Sequence, residues 1–179
     1  CSSDLLMDEG LDTGDILKQV IVPISPDDTG DSLTKKLSLE GAGPLLEILE
    51  LAGKGQLSPE KQGESPTAYA SMLTKEMGEL DFSDDAEKLE KKIRAFYSWP
   101  SAYTFLNGKM LKICRAEVCA GRSGCVPGEI ISVTKKDFTV SCQKGALRIR
   151  ALKAEGKKEM ETDAFLRGNK LTEGMLLGR

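Results

Sequence analysis

The second half of the chain is a succession of short segments in which apolar and polar residues alternate, and this pattern limits the fold most. SAYTFL (101–106) is followed by Asn107-Gly108 and then by KMLKICRAEV (109–118). Asn-Gly tolerates the positive φ angles of a type I′ turn, so these pieces predict a β-hairpin. GEIISVT (128–134), DFTVSCQ (137–143) and ALRIRAL (146–152) follow at short spacing. Such strands favour a small antiparallel β-barrel, completed by a short helix (162–167) and a final strand, GMLLG (174–178).

The front of the chain predicts a turn, a strand and one helix. DEGLDTGD (8–15) combines two glycines with four carboxylates, as in an exposed tight turn, and ILKQVIVPI (16–24) is rich in β-branched residues. A helix over 31–52 should have Asp31 or Ser32 as its N-cap and should break or kink at Gly43-Pro44. Its apolar face consists of Leu33, Leu37, Leu45, Leu46, Ile48 and Leu49. One strand and one helix bury too little surface to fold alone, which indicates the end of a larger α/β domain.

A change of composition separates the front of the chain from the strand-rich half. From Gly53 the sequence is rich in Gly, Pro, Lys, Gln and Ser, which predicts a linker that lies over a surface. A helix over 84–97 follows, with Asp84 and Glu87 in the spacing of a capping box. Trp99-Pro100 should end it.

The charges are divided between the two halves. Residues 1–89 carry 7 Lys and Arg against 19 Asp and Glu, whereas residues 90–179 carry 18 against 9. A basic half on an acidic chain favours a polyanionic partner, because Lys and Arg that displace counterions from phosphates gain affinity without reading bases. A merely solvated surface explains the excess equally well.

Residue counts exclude several kinds of chemistry. The chain contains no His, so Ser-His, Cys-His and His-metal chemistry cannot occur within it alone. Its five cysteines are an odd number and lack a Cys-x-x-Cys pair, which indicates reduced thiols and no metal site. No run is long and apolar enough to span a membrane, so we expect a soluble, cytoplasmic protein.

Seven runs, in order, resemble the methionyl-transfer-RNA formyltransferase family. They are MDEGLDTGD (7–15), TAYASMLTKEMGELDF (67–82), WPSAYTFLNGKMLKI (99–113), PGEI (127–130), KGALRI (144–149), GKKEM (156–160) and FLRG (165–168). The resemblance covers nearly the whole chain and implies an α+β architecture. Residues 1–52 would be the C-terminal remnant of a Rossmann-like α/β formyltransferase domain, and residues 53–83 its linker. Residues 84–179 would form a small antiparallel OB-like β-barrel with a leading helix, which binds tRNA.

The resemblance also implies a reaction. The family transfers a formyl group from 10-formyltetrahydrofolate to the amine of methionyl initiator tRNA. The amine attacks the formyl carbon, an oxyanion forms and protons move between nitrogens. An Asn stabilises the oxyanion, a His moves protons and an Asp orients the His. Only the catalytic Asp has a counterpart here, Asp12. The Asn and the His would precede Cys1, so we expect the chain alone to be inactive.

The resemblance assigns further contacts to named residues. Gly10, Leu11, Asp12 and Gly14 would lie against the folate, although an ordinary turn carboxylate is the alternative for Asp12. The RNA-binding residues would be Lys75, Arg94, Lys112, Arg115, Arg148, Arg150, Lys157, Lys158 and Arg167. On a strand, Arg148 and Arg150 share one face while Leu147 and Ile149 face the core. The alternative for these cations is a solvated surface with aliphatic stems over apolar neighbours. Trp99, Tyr103 and Phe105 should lie mainly in the core.

The expected partner is initiator methionyl-tRNA, bound by a monomer that contacts no membrane. Two other functions remain open. A stand-alone RNA-binding module would explain the basic half without catalysis. A related formyltransferase acting on a nucleotide sugar, or in an aldehyde-linked folate cycle, would share the two-part layout, although a small substrate does not need such an excess of positive charge.

Overall fold

The computed structural model describes residues 2–63 and 70–178 and divides into two compact units, Cys1–Met72 and Leu73–Arg179. Cys1 and residues 64–69 lie outside the described residues. The middle of the expected linker, and the beginning of the TAYASMLTKEMGELDF run, therefore also lie outside them.

The first unit contains a two-stranded sheet and one helix. Strand β1 (Ser2–Leu5) pairs antiparallel with β2 (Ile16–Val20), and helix α1 spans Gly30–Gly53. Thr29 caps the helix: its hydroxyl accepts from the Ser32 amide, and the Ser32 hydroxyl accepts from the Thr29 amide. The expected N-cap at Asp31 or Ser32 is therefore wrong, because Thr29 holds the extended backbone that a cap needs and Ser32 is its partner.

Helix α1 continues through Pro44, so the expected break at Gly43-Pro44 is wrong, while the alternative of a kink there stays a prediction. Proline removes one backbone donor, but the helical turns before and after Pro44 keep their own hydrogen bonds and the helix continues. The expected apolar face is also mostly unburied. Only Ile48 is buried, while Leu45, Leu46 and Leu49 are exposed.

The second unit is a curled antiparallel sheet with two helices. A 3-10 turn (Glu76–Gly78) and helix α2 (Ala86–Ala95) precede the strands. The strands are β3 (Tyr103–Leu106), β4 (Lys109–Cys119), β5 (Ile130–Val133), β6 (Phe138–Ser141), β7 (Ala146–Ala154) and β8 (Met160–Glu161); helix α3 (Thr162–Gly168) follows. The sheet order is β3-β4-β7-β6-β5, with β8 against β7. The hairpin is confirmed: Asn107 and Gly108 have φ angles of 51° and 74°.

Two local predictions for this unit are wrong. GMLLG does not form a strand among the described residues: it makes only isolated bridges, Leu177 to Leu106 and Leu176 to Glu129. Helix α2 begins after Asp85 without a side-chain cap, and the Asp84 carboxylate instead accepts from Lys88 four residues later. Asp84 lies one residue too early for a capping box.

The core of the second unit lies between α2 and the sheet. Leu89 and Ile93 of α2 are buried, and β6 and β7 contribute Phe138, Leu147 and Ile149. Residues 73–83 of the expected linker belong to this unit and contribute further core residues.

We expected the aromatic residues near β3 to lie mainly in the core, but the structure places them at or near the surface. Trp99 is 54% exposed. Thr104 is the inward residue of β3, which leaves Tyr103 and Phe105 on its other side, half-buried and packed edge to face with centroids 5.8 Å apart.

Candidate functional site

The loop between β1 and β2 contains the candidate catalytic aspartate, and Asp8 organises it. One carboxylate oxygen of Asp8 accepts from the Gly10 amide at 3.0 Å and from the Thr13 hydroxyl at 2.6 Å. These bonds favour the charged form and lower the pKa of Asp8, with Thr13 making the larger contribution. The Asp-x-Gly pattern is the sequence signal for this turn.

Gly14 and Gln62 fix the other side of the loop. A Cβ on Gly14 would lie 1.6 Å from the Leu6 carbonyl oxygen, so no other residue fits without moving the backbone. The Gln62 amide donates to the carbonyl oxygens of Asp12 at 2.8 Å and Gly14 at 2.6 Å. Sequence reasoning missed Gln62, because it stands in a segment that reads as a linker.

The loop presents Asp12 outward. Asp12 has a φ of 56° and is exposed, as is Leu11 next to it. In the part of the chain that the structure describes, the backbone of Asp12 is bound by Gln62 while its carboxylate accepts no hydrogen bond. This loop therefore brings together Gly10, Leu11, Asp12 and Gly14. An exposed, unpartnered carboxylate on a fixed loop suits a role in accepting a hydrogen bond from a group outside the loop.

The outer face of β4 and β7 holds four of the expected RNA-binding residues, Lys112, Arg115, Arg148 and Arg150. Leu147 and Ile149 are fully buried and the two arginines of β7 are partly exposed, as the alternation predicts. Arg150 donates to Asp137 at 2.6 Å and to Glu117 at 2.8 Å. The Nη2 group of Arg115 donates to both carboxylate oxygens of Glu161, at 2.7 and 2.8 Å. Two of the three arginines on this face are thus already neutralised.

The remaining expected residues lie elsewhere in the second unit. Arg94 of α2 pairs with Glu90, and Arg167 of α3 pairs with Asp163. Lys157 and Lys158 are exposed in the turn between β7 and β8. Lys75 precedes the 3-10 turn. The structure therefore distributes the expected residues over several elements rather than over one face.

Lysine and arginine differ in how they are used in the second unit. Of the arginines that the structure describes, only Arg148 lacks a carboxylate within 4.0 Å. Of the lysines that the structure describes in this unit, only Lys88 has a carboxylate within that distance. Lys112 donates to the Ser101 hydroxyl at 3.3 Å and lies opposite Lys153 in the β4–β7 ladder. The cations available to an external anion are therefore mainly lysines.

Sequence reasoning missed several of these lysines. Lys109, which was missed, lines a cleft beside α3 together with the expected Lys157. Lys135 and Lys170, also missed, line a second cleft beside the same helix. Their shared sequence signal is a position at a turn or at the end of an element.

The described cysteines are free thiols, and burial favours the protonated form of Cys114, Cys119 and Cys142. Burial raises the pKa of Cys114 to about 11, with Glu159 adding to the effect, and raises the pKa of Cys142 to about 12. Protonated thiols are poor nucleophiles, so these two groups do not suggest thiol catalysis. Within residues 2–63 and 70–178, no helix is both long enough and apolar enough to cross a membrane.

Curated proteins similar to this chain are named methionyl-tRNA formyltransferase. The one from Lachnospira eligens is 44% identical over 177 residues, which are 96% of this chain and 56% of that protein. The one from Citrifermentans bemidjiense is 43% identical over 98% of this chain and 54% of that protein. The chain thus spans about half the length of the curated relatives it matches.

Solved structures share the fold. A variant of HypX from Aquifex aeolicus matches with a TM-score of 0.65 and 21% identity, over 95% of this chain and 31% of that one. Methionyl-tRNA formyltransferase from Clostridium thermocellum matches with a TM-score of 0.51 and 20% identity, over 89% of this chain and 55% of that one.

The family model described as "Formyl transferase, C-terminal domain" matches residues 72–170. This match and the curated relatives confirm the resemblance seen in the seven sequence runs. Because the matched segment is more than half of its length, this chain belongs to the family of formyl transferase C-terminal domains.

Proposed function

We propose that this chain is the C-terminal part of a methionyl-tRNA formyltransferase, which transfers a formyl group from 10-formyltetrahydrofolate to the amine of methionyl initiator tRNA. The observation that carries this proposal is the 44% identity to a curated enzyme of that name over 96% of the chain. The sugar 3N-formyl transferase WlaRD shares the fold at a TM-score of 0.61, but at 19% identity that likeness does not favour a sugar substrate.

In this proposal, residues 1–52 are the last part of a Rossmann-like α/β formyltransferase domain. Residues 53–83 link that domain to the RNA-binding part. Two features support this role. A two-stranded sheet is too small to be stable by itself. The exposed leucines of α1, Leu45, Leu46 and Leu49, form an apolar face of the kind that packs against another part of a domain.

For residues 84–179 we propose an OB-like barrel. The isolated bridges support this closure, because Leu177 pairs at edge strand β3 and Leu176 pairs next to edge strand β5. A closed sheet leaves no unpaired edge, which suits a small all-antiparallel unit.

Asp12 is proposed to be a positioning residue of the complete enzyme. The carboxylate would accept a hydrogen bond from the proton-carrying His and orient it toward the amine that attacks the formyl carbon. Gly10, Leu11 and Gly14 would lie against the folate. The exposed Asp12 carboxylate, on a loop fixed by Asp8 and Gln62, is compatible with this role.

A chimera tests the role of Asp12. Residues 1–179 would replace the matching segment of the Lachnospira eligens enzyme, which supplies the rest of the active site. Asp12→Asn should lower kcat by about 10²- to 10⁴-fold and change the pH profile, because the general base loses its orientation. Asp15→Asn, in the same loop, is the control and should have little effect. Equal activity of the two variants would contradict the assignment.

The second unit is proposed to contact the phosphates of initiator tRNA. The proposed contacts are Lys75, Arg94, Lys112, Arg115, Arg148, Arg150, Lys157, Lys158 and Arg167. Lys112, Arg148, Lys157 and Lys158 can approach a phosphate without breaking an ion pair, whereas Arg115 and Arg150 must first exchange a carboxylate. We therefore expect the lysines and Arg148 to contribute most of the binding.

Salt dependence tests the RNA contact. Binding of the full chain to initiator tRNA should weaken steeply as salt increases, because each neutralised phosphate releases counterions. The double variant Lys157→Gln, Lys158→Gln should reduce the logarithmic slope by about two. Lys18→Gln is the control, because Lys18 lies in the first unit and pairs with Glu47. Affinity that does not change with salt would contradict the proposal.

A stand-alone RNA-binding module is the second candidate. The observation in its favour is that the hydrophobic core of the second unit consists of residues of that same unit. The chimera distinguishes the two candidates. A chimera that folds and binds initiator tRNA but never formylates it would favour the module.

A further inference from the structure

A cleft of about 420 Å³ lies between the Asn107-Gly108 turn, the turn after β7 and helix α3. Small-molecule sites commonly have volumes of about 300–1,000 Å³, so the cleft is large enough for one small ligand. None of the seven sequence runs assigns it a role, and only Lys157 of its lining residues is among the expected RNA contacts.

The cleft has a floor of thioether and aromatic side chains. Met110 and Met160 line it, together with Phe165 and Leu111, which belong to the hydrophobic core. Thioethers and rings are polarizable and contact flat aromatic groups favourably. Met110 is 37% exposed, whereas Leu111, the next residue of the same strand, is buried in the core. Such a floor suits a flat heteroaromatic ring.

Two amides can bind the edge of such a ring. Asn107 lines the cleft from the hairpin turn and Asn169 from the end of α3. The Asn169 side chain donates to the Phe165 carbonyl oxygen at 2.9 Å, which fixes its position and leaves its own oxygen as an acceptor.

The rim of the cleft carries both signs of charge. Lys109 and Lys157 are exposed and have no carboxylate of the described residues within 4.0 Å, so each ammonium is available to an anion. Glu155 lies on the same rim, and no cation of the described chain pairs with it. A carboxylate disfavours a second anion but accepts hydrogen bonds from the hydroxyls of a ribose.

We propose that this cleft binds one unpaired ribonucleotide of the RNA partner. The base lies on Met110 and Met160, its phosphate contacts Lys109 and Lys157, and its ribose 2′-hydroxyl donates to Glu155. This inference rests on the proposed RNA-binding function and extends it from backbone contact to a subsite for one exposed base. An acidic peptide would also meet the lysines, but it would gain nothing from a group that binds a ribose or from a surface that suits a flat base.

A pair of aspartate variants on one strand tests the base contact. Both Met110 and Val118 lie on β4 and are partly exposed, at 37% and 45%, but only Met110 lines the cleft. Met110→Asp should weaken binding of a single-stranded RNA tetramer by about tenfold or more, because a base loses its stacking partner. Val118→Asp introduces the same charge on the same strand and should change affinity little. Equal losses in the two variants would overturn the base contact.

A second variant tests the ribose contact. The full chain should bind the RNA tetramer about three- to tenfold more tightly than the DNA tetramer of matching sequence, since DNA lacks the 2′-hydroxyl. Glu155→Ala should abolish this preference. Glu173→Ala removes one exposed carboxylate that pairs with Arg122 and should preserve it. A preference that survives in Glu155→Ala, or no preference in the unchanged chain, would overturn the assignment of Glu155.

A charge reversal at Lys157 tests the phosphate contact and leaves the apolar lining of the cleft intact. The variant is Lys157→Glu, and Lys144→Glu, at an exposed lysine outside the cleft, is its control. Lys157→Glu should weaken tetramer binding more than Lys144→Glu does. Initiator tRNA measured in parallel separates the two proposals. If the chain binds the tRNA in a salt-dependent way while cleft and control variants behave alike, the nucleotide subsite is wrong and the RNA function remains. If neither RNA binds, the RNA function itself is wrong.

Discussion

The two units of this chain are stabilised in different ways. In the described part of the second unit, nineteen buried residues form one hydrophobic cluster. In the described part of the first unit, Ile48 is the only apolar side chain that is buried. Burial of apolar surface is the main favourable term in folding, so the second unit has the means to fold by itself and the first has little.

Local polar contacts order the first unit instead. Asp8 closes the loop before β2, Thr29 and Ser32 cap α1, and Asp28 accepts from Lys36 and from Ser32. Such contacts fix the conformation of a loop or a helix end, but each contributes only about 1 kcal/mol net. The comparison therefore separates a unit stabilised by its core from one stabilised by caps and turns.

The largest expected effect is the loss of a core side chain in the second unit. Phe138→Ala should lower the free energy of unfolding by about 3–5 kcal/mol, because Phe138 is fully buried and its removal leaves a cavity. Leu46→Ala in α1, at 63% exposure, should change it by less than about 0.5 kcal/mol. Urea unfolding measures both, followed by near-ultraviolet circular dichroism for the second unit and by far-ultraviolet circular dichroism for α1, because residues 2–63 contain no aromatic side chain. Similar losses in the two variants would contradict the comparison.

The second prediction concerns Pro44, which interrupts the hydrogen bonding of α1. Pro44→Ala should stabilise the first unit by about 1–3 kcal/mol, because it restores one backbone donor and removes a ring that crowds the preceding turn. Amide exchange along α1 measures the change, with β7 as an internal reference that should stay the same.

Gly43→Ala is the matched control for Pro44→Ala. A Cβ at Gly43 would meet no atom within 4 Å, so this variant should gain only the helix propensity of alanine, about 1 kcal/mol. If Pro44→Ala slows exchange no more than Gly43→Ala does, the proline is not what limits the helix.

The strands of the second unit could be predicted from sequence because alternation and turn chemistry agree there. Asn107-Gly108 predicts the hairpin, and the alternation over 146–152 predicts which side of β7 is buried. The continuation of α1 through Pro44 could not be predicted, since local propensity favours a break at a proline and only the surrounding turns preserve the helix. The short strand β8, two residues long, gives no pattern to detect.

The candidate sites were less accessible to sequence reasoning. The charge excess after residue 90 predicts a cationic unit, but it does not reveal that Arg115 and Arg150 are occupied by carboxylates distant in sequence. Gln62 contacts the Asp12 loop across 50 residues, and no local pattern announces such a contact. Pairings of this kind depend on tertiary structure.

The third prediction compares two arginines on one strand of the second unit. Arg150→Ala should destabilise it by about 1–2 kcal/mol, because the largely buried carboxylate of Asp137 loses its ionic partner. Arg148→Ala breaks no ion pair and should cost less than about 0.5 kcal/mol. For binding of initiator tRNA the order should reverse, with Arg148→Ala giving the larger reduction of the salt slope. Equal stability of the two variants would contradict this distinction.

The smallest effect is a pH dependence confined to the first unit. Hydrogen bonds from Lys36, Ser32 and the Ser25 amide lower the pKa of Asp28 from 3.8 to about 2. Because the folded pKa lies below the unfolded one, the stabilisation is complete above about pH 4 and is lost as the pH falls toward 2. The beginning of α1 should therefore unfold over this interval, which far-ultraviolet circular dichroism follows.

Asp28→Asn should flatten that acid transition, because the amide does not titrate and cannot pair with Lys36. Asp27→Asn is the matched control at the next position, where the carboxylate is exposed and accepts only weakly from Ser25, at 3.4 Å. The control should keep the transition of the unchanged chain. An acid transition that is the same in all three proteins would mean that other carboxylates govern the first unit, and that the Asp28 contacts are not what holds the start of α1.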